Sequence, residues 1–308
     1  MSKLRGRMQN VCVTVGAAQV SIDLPPPGLE VLPGVVWGRV EYFPTPAYWA
    51  FQVLARRFSA QPIQYKLGKT LREEVAACLL GGHGIPARMG LLAFEHLRSK
   101  NALTGDPPSE EKLKVWLAEP MPVNGRHVRY RFASQKARYL AAAFIKLAVE
   151  SAPSTGRELR DWLTDFPGIG YKTASWIARN WLDANDVAIL DIHILRAGVL
   201  AGFLDQTLTV ERHYPELEKQ FLEFSQALGV GASELDAVIW LEMAQSRSTV
   251  ARMLQALPET RLKQCHTALQ LCLKQTRPDE IPVRMLRNRS RYASLAPAWM
   301  GAGRVQRD

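Results

Sequence analysis

Five residues in this chain have types and spacings suited to joint chemistry. Lys172 stands two positions beyond a Pro-Gly-Ile-Gly turn, within "TDFPGIGYKTASWIARN" (164–180), where a helix is predicted to open. The positive end of a helix dipole disfavours an ammonium there, whereas a nearby phosphate favours it. Two readings follow: a neutral amine acting as a nucleophile, or one more cationic contact to a phosphate. Asp191 lies in "VAILDIHILRAG", between the apolar run Val187–Leu190 and a predicted helix starting near Ile192. It either caps that helix or, as a lone carboxylate, stabilises a developing cation or takes a proton. Trp176 follows Lys172 by four residues, so a helix turns both to one side. Asp236 and Trp240 repeat that spacing in "LDAVIWLEM".

The elements that must carry these residues are mostly helices. "RELRDWLTD" reads as a helix ending near Thr164, "FPGIG" as a tight hairpin and "YKTASWIARNWL" as a second helix. Gly168 and Gly170 permit positive φ and close approach by another backbone. The second helix begins with unpaired backbone N–H groups, which bind phosphate without reading sequence. The hairpin carbonyls point the other way and suit a monovalent cation. Upstream, "VCVTVGAAQVSIDL" alternates with period two and "GVVWGRVEYF" (34–43) does so more loosely, predicting short strands. From Pro46 helical spacing takes over, with Pro86 expected in a first turn and Ser109 as an N-cap. "QKARYLAAAFIKLAVE" and the segments after "ERHYPELEKQF" are amphipathic helices.

The whole is therefore mainly α, with a small N-terminal β layer. The expected division is a segment over 1–68 packing with the C-terminal helices, a helical domain over 69–205 that holds the hairpin pair (157–182), C-terminal helices over 206–275 and a basic tail over 276–308. Lysine and arginine outnumber aspartate and glutamate by 39 to 29, and the resulting +10 favours a polyanionic partner such as DNA. Hydrophobic residues are 47% of the chain, but no apolar run reaches the length of a membrane span. No export signal opens the chain, so a cytoplasmic protein associated with the nucleoid is expected. Cys12, Cys78, Cys265 and Cys272 are too scattered for a disulfide framework, a structural zinc site or an iron–sulfur cluster.

Pro-Gly-Ile-Gly-x-Lys, followed by an apolar run into Asp-Ile-His, resembles the helix-hairpin-helix DNA glycosylase superfamily. The lysine and the missing cluster cysteines place the resemblance with the 8-oxoguanine DNA glycosylase/AP lyases. The resemblance implies a two-lobed fold with the DNA in a cleft. Lys172 would attack C1′ of the damaged nucleotide and nick the strand by β-elimination, with Asp191 as electrostatic partner and base. It further implies a phosphate contact from His193, a monovalent cation on the carbonyls of Thr164, Phe166 and Ile169, and no organic cofactor. "LLGGHGIPARMG" is similar to the family segment that fills the hole left by a flipped base, with His83 and Arg88 at the contacting positions. Asp236 and Trp240 match a polar and an aromatic position on a late helix of the archaeal and some bacterial members. Trp176 and Trp240 would then wall a slot, and Asp236 would accept from guanine's N1–H and amino group, which adenine does not offer. The expected partner is double-stranded DNA carrying a damaged or modified purine, bound by a monomer. Two other readings stay open: the same chemistry on a modified base in anti-phage defence, and a non-catalytic DNA-gripping hairpin.

Overall fold

A computed structural model describes residues 6–58, 66–82, 84–123 and 125–257. Their contacts divide into two units. The described residues before position 59 join those from Asn185 onward, and residues 66–184 form the other unit.

The first unit opens with an antiparallel hairpin, β1 (Gln9–Val15) and β2 (Ala18–Leu24), in the register Val11–Ile22. Its alternation sends Ile22 and Leu24 into the core. A second pair, β3 (Glu30–Leu32) and β4 (Val35–Val36), is shorter than the strand expected over 34–43. Gly38 turns the chain out of line at φ +65°, and a side chain there would run into Thr45. The Gln9 amide holds the diverted segment instead, donating to Pro25 and Gly38 carbonyls and accepting from Val40 N–H.

Thr45 caps α1 (Pro46–Arg57), with Pro46 supplying a first-turn residue that has no N–H to satisfy. This helix packs on α10 (Ala232–Gln245), and Glu242 fastens the two by accepting from Tyr48 Oη at 2.9 Å and Arg56 Nη2 at 2.6 Å. Next to α10 lie α8 (Ile192–Ala201), α9 (Tyr214–Leu228) and α11 (Arg247–Gln255). Trp49, Phe221 and Phe224 are fully buried with Ile22 and Leu24 in one core, so the N-terminal strands do share a core with the late helices. The same core takes in Ala188, Leu190, Ile194 and Leu195. That burial corrects the expected 69–205 domain: the chain changes unit at Ala184/Asn185, and Asp191 belongs with the late helices. The run before Asp191 forms no strand, and among the described residues it pairs with none.

The second unit contains α2 (Leu71–Leu80), α3 (Ala87–Ser99), α4 (Glu110–Ala118), α5 (Ala133–Val149), α6 (Gly156–Thr164) and α7 (Tyr171–Leu182). Thr70 caps α2, and Ser109 caps α4 as the sequence predicts. Pro86 stands at the N-cap of α3, one position outside the expected first turn. Between α4 and α5 a hairpin not foreseen from the sequence pairs β5 (Met121–Val123) with β6 (Arg126–Val128). Buried Glu74 ties this unit together: Oε2 accepts from the Leu67 and Gly68 N–H groups, and Oε1 accepts from Asn180 Nδ2 on α7. Burial, then the Glu74 carboxylate, pushes the neighbouring Cys78 thiol well above its ordinary value, which suits an inert structural cysteine. Cys265, Cys272 and the tail from 276 lie outside the described residues. Among the described residues no helix is long and apolar enough to cross a membrane.

Candidate active site

The hairpin is built as its sequence demands. α6 ends at Thr164, and the turn closes through Phe166 N–H to Leu163 O and Ile169 N–H to Phe166 O. Gly168 adopts φ +81°, and a Cβ on it would sit 2.3 Å from the Tyr139 ring. Both facts exclude a larger residue there. Gly170 is the N-cap of α7, no side chain caps that end, and a Cβ on Gly170 would meet open space. The first-turn N–H groups of α7 thus begin a helix that is approachable by an anion. Lys172 is the second residue of α7 and is exposed.

Trp176 lies one turn on and is half-buried, with the Arg179 guanidinium 5.8 Å from its ring centre. This indole therefore lies beside a cation. Arg88 is exposed in the first turn of α3, and His83 lies outside the described residues.

In the other unit, Asp191 is the N-cap of α8. Its Oδ1 accepts from His193 N–H at 2.8 Å and Ile194 N–H at 3.1 Å. The capping reading of this carboxylate is therefore real, and any chemistry of the group is added to it. The residues before it hang on side chains rather than on a sheet. Glu218 Oε1 accepts from Ala188 N–H at 2.9 Å, and Asp236 Oδ2 accepts from Ile189 N–H at 3.2 Å. Tyr214 Oη donates to Ala188 O at 2.7 Å and accepts from Leu190 N–H at 3.1 Å. Ala188, Ile189 and Leu190 are buried, so each of these polar groups needs a partner, and three side chains from α9 and α10 provide one. Asp236 is itself buried, and part of its acceptor capacity already serves the backbone. Four residues along α10, Trp240 is half-buried and meets the edge of the His193 ring, with centroids 6.1 Å apart at 79°. α8 and α10 thus bring Asp191, His193, Asp236 and Trp240 into one neighbourhood.

A family model described as 8-oxoguanine DNA glycosylase matches residues 60–230, more than half of the chain. The chain belongs to that family. The match contains the hairpin, Lys172, Trp176, Asp191 and His193; Asp236 and Trp240 lie beyond its end. The 8-oxoguanine DNA glycosylase/AP lyase of Methanocaldococcus jannaschii is 35% identical over 123 residues, covering 37% of this chain and 58% of the relative. The protein of the same description from Fusobacterium nucleatum is 29% identical over 127 residues, with the same two coverages. This chain thus spans a little over half the length of those curated relatives. A solved structure of the M. jannaschii protein, in complex with a 15mer DNA containing 8-oxoguanine, is 24% identical to this chain. It covers 64% of this chain and 98% of its own, with a TM-score of 0.44.

Tyr214 and Glu218, which hold the run before Asp191, are the residues of this neighbourhood that sequence reasoning missed. Their signal in the sequence is faint: both are polar groups spaced four apart in α9, where the helix face toward the core should be apolar.

Proposed function

We propose that the protein is a bifunctional DNA glycosylase/AP lyase that removes 8-oxoguanine or a related purine lesion from double-stranded DNA. The observation that carries this reading is Lys172, an exposed amine in the first turn of a helix whose start is open to a phosphate. In this reaction the Lys172 Nζ lone pair attacks C1′, and the bond from C1′ to the base breaks with the electrons leaving on the base. Ring opening gives a Schiff base between Nζ and C1′. Loss of a C2′ proton then expels the 3′ phosphate, which nicks the strand. Asp191 balances the positive charge that develops on the sugar and exchanges protons with it. Trp176 and Trp240 stack on the extruded base, and Asp236 accepts from the guanine edge, which offsets a flipping cost of about a few kcal/mol. His193 and the hairpin N–H groups of Gly168 and Gly170 hold phosphates, and Arg88 lies in the segment that fills the hole left by the extruded base. The carbonyls of Thr164, Phe166 and Ile169 suit a monovalent cation; the Phe166 oxygen, which accepts from Ile169 N–H at 3.0 Å, keeps a second lone pair for it. No organic cofactor is needed, because the lysine supplies the covalent step, and a monomer suffices for one lesion.

Borohydride trapping on a duplex containing 8-oxoguanine tests the reading. The wild-type chain should form a covalent adduct and nick the strand, and Lys172→Gln should do neither while still binding the duplex. A wild-type chain that binds the duplex but neither forms an adduct nor nicks it would leave a non-catalytic, backbone-gripping hairpin as the better description, and nicking by Lys172→Gln at the wild-type rate would overturn the role given to this lysine.

A further inference from the structure

The thirty residues from Pro120 to Val149 contain six lysines and arginines and no aspartate or glutamate, in a chain whose whole net charge is +10. Lys146, at the far end of α5, is neutralised by Glu150 and Asp165. Lys136 is half-buried and donates to Gly81 O at 3.3 Å. The other four, Arg126, Arg129, Arg131 and Arg138, are exposed, and among the described residues none of them makes an ion pair. Several arginines elsewhere are held internally: Arg56, Arg57 and Arg98 bind carboxylates, and Arg72 binds carbonyls. The four guanidinium groups have no carboxylate partner, although Arg131 and Arg138 lie against the Phe132 and Tyr139 rings, and they ride on an ordered frame. Tyr130 Oη donates to Leu80 O at 2.6 Å, Met121 is buried, and β5 packs on α3. The frame reaches the helix-hairpin-helix turn, because the Tyr139 ring that covers Gly168 follows directly after Arg138 on α5.

We infer that the β5–β6 hairpin and the start of α5 are a second phosphate-gripping surface, which holds a stretch of duplex backbone beyond the one met by the helix-hairpin-helix turn. Clustered arginines without carboxylate partners keep their full charge, and their planar forks match phosphate oxygens. The surface rests on the proposed DNA-directed function but takes no part in the chemistry, so it alters grip without altering the reaction at the lysine.

The test uses the full chain with Arg126→Gln, Arg129→Gln and Arg131→Gln combined. Affinity for a labelled duplex carrying a stable abasic analogue is measured across a salt series. At about 0.9 per phosphate contact, the slope of log affinity against log salt should become shallower by roughly 2–3. Single-turnover excision at saturating enzyme should match wild type, and so should the melting temperature. A control with Lys112→Gln, Lys114→Gln and Lys219→Gln removes the same charge elsewhere and should change the slope much less. An unchanged slope in the arginine variant, an equal change in the control, or a loss confined to single-stranded nucleic acid would overturn the inference. If the wild-type chain excises no base, the glycosylase reading fails, yet the slope comparison on the same duplex still decides this surface.

Discussion

Replacing Tyr214 with phenylalanine removes one oxygen and leaves the ring in place. That oxygen donates to Ala188 O at 2.7 Å and accepts from Leu190 N–H at 3.1 Å, and both backbone groups belong to fully buried residues. Leaving a buried polar group without its partner costs about 1–3 kcal/mol, so two such groups cost about 2–4 kcal/mol once some water entry is allowed. In a protein of this size each kcal/mol lowers the melting temperature by about 2–4 °C, which predicts a fall of roughly 5–15 °C. Asp191 follows Leu190 directly, so the slackened run also loosens the carboxylate. A displacement near 1 Å can cost about a hundredfold in rate, and single-turnover excision should drop by at least about tenfold. Binding to an abasic duplex should barely move, because Tyr214 is buried and touches no DNA. Differential scanning calorimetry and quenched-flow excision measure the two effects. A Tyr214→Phe chain that melts with wild type and excises at the wild-type rate would refute the idea that this hydroxyl positions Asp191.

Asp191→Asn keeps an acceptor for His193 and Ile194 N–H and loses the charge; it should stay near wild-type stability and lose excision. Asp191→Ala should in addition lose about 1 kcal/mol of capping, read by urea denaturation. Gly168→Ala should destabilise the second unit by about 1–3 kcal/mol through its positive φ and its clash with Tyr139; pairing it with Tyr139→Ala should recover the clash but not the backbone strain, as followed by melting. Hydrogen bonding from Arg57 holds the Glu234 carboxyl below its ordinary range, so its contribution is present above the unfolded value and lost as pH falls through the lowered one. The pair is more than one-third exposed, so that contribution is under about 1 kcal/mol. Arg57→Gln should flatten the acid limb of a stability-against-pH curve by that much.

The hairpin and its lysine were legible because their signals are local. A Pro-Gly-Ile-Gly turn, a helix end before it and an amine after it fit within a few residues. The helices were legible for the same reason, through spacing and caps such as Thr70 and Ser109. The support beneath Asp191 was not, since Tyr214, Glu218 and Asp236 reach back across 24 to 47 positions in sequence and nothing in the apolar run names its partners. The strand expected over 34–43 failed where period-two alternation met a glycine that turns the chain. The β5–β6 hairpin was missed although Asn124-Gly125 is a strong two-residue turn signal, because strands of three residues show too little alternation to register.

The suspension of residues 188–190 on side chains has a consequence for transplanting this centre. A strand in a sheet brings its own backbone partners, and can be moved with its neighbour. Here the segment's amides are met by an aspartate, a glutamate and a tyrosine on two helices that arrive later in the chain. Copying the loop with its Asp191 into another scaffold would carry the residue and abandon what aims it. The smallest portable piece runs from the apolar segment through α10, and within it those three anchors should resist replacement more than the loop residues they hold.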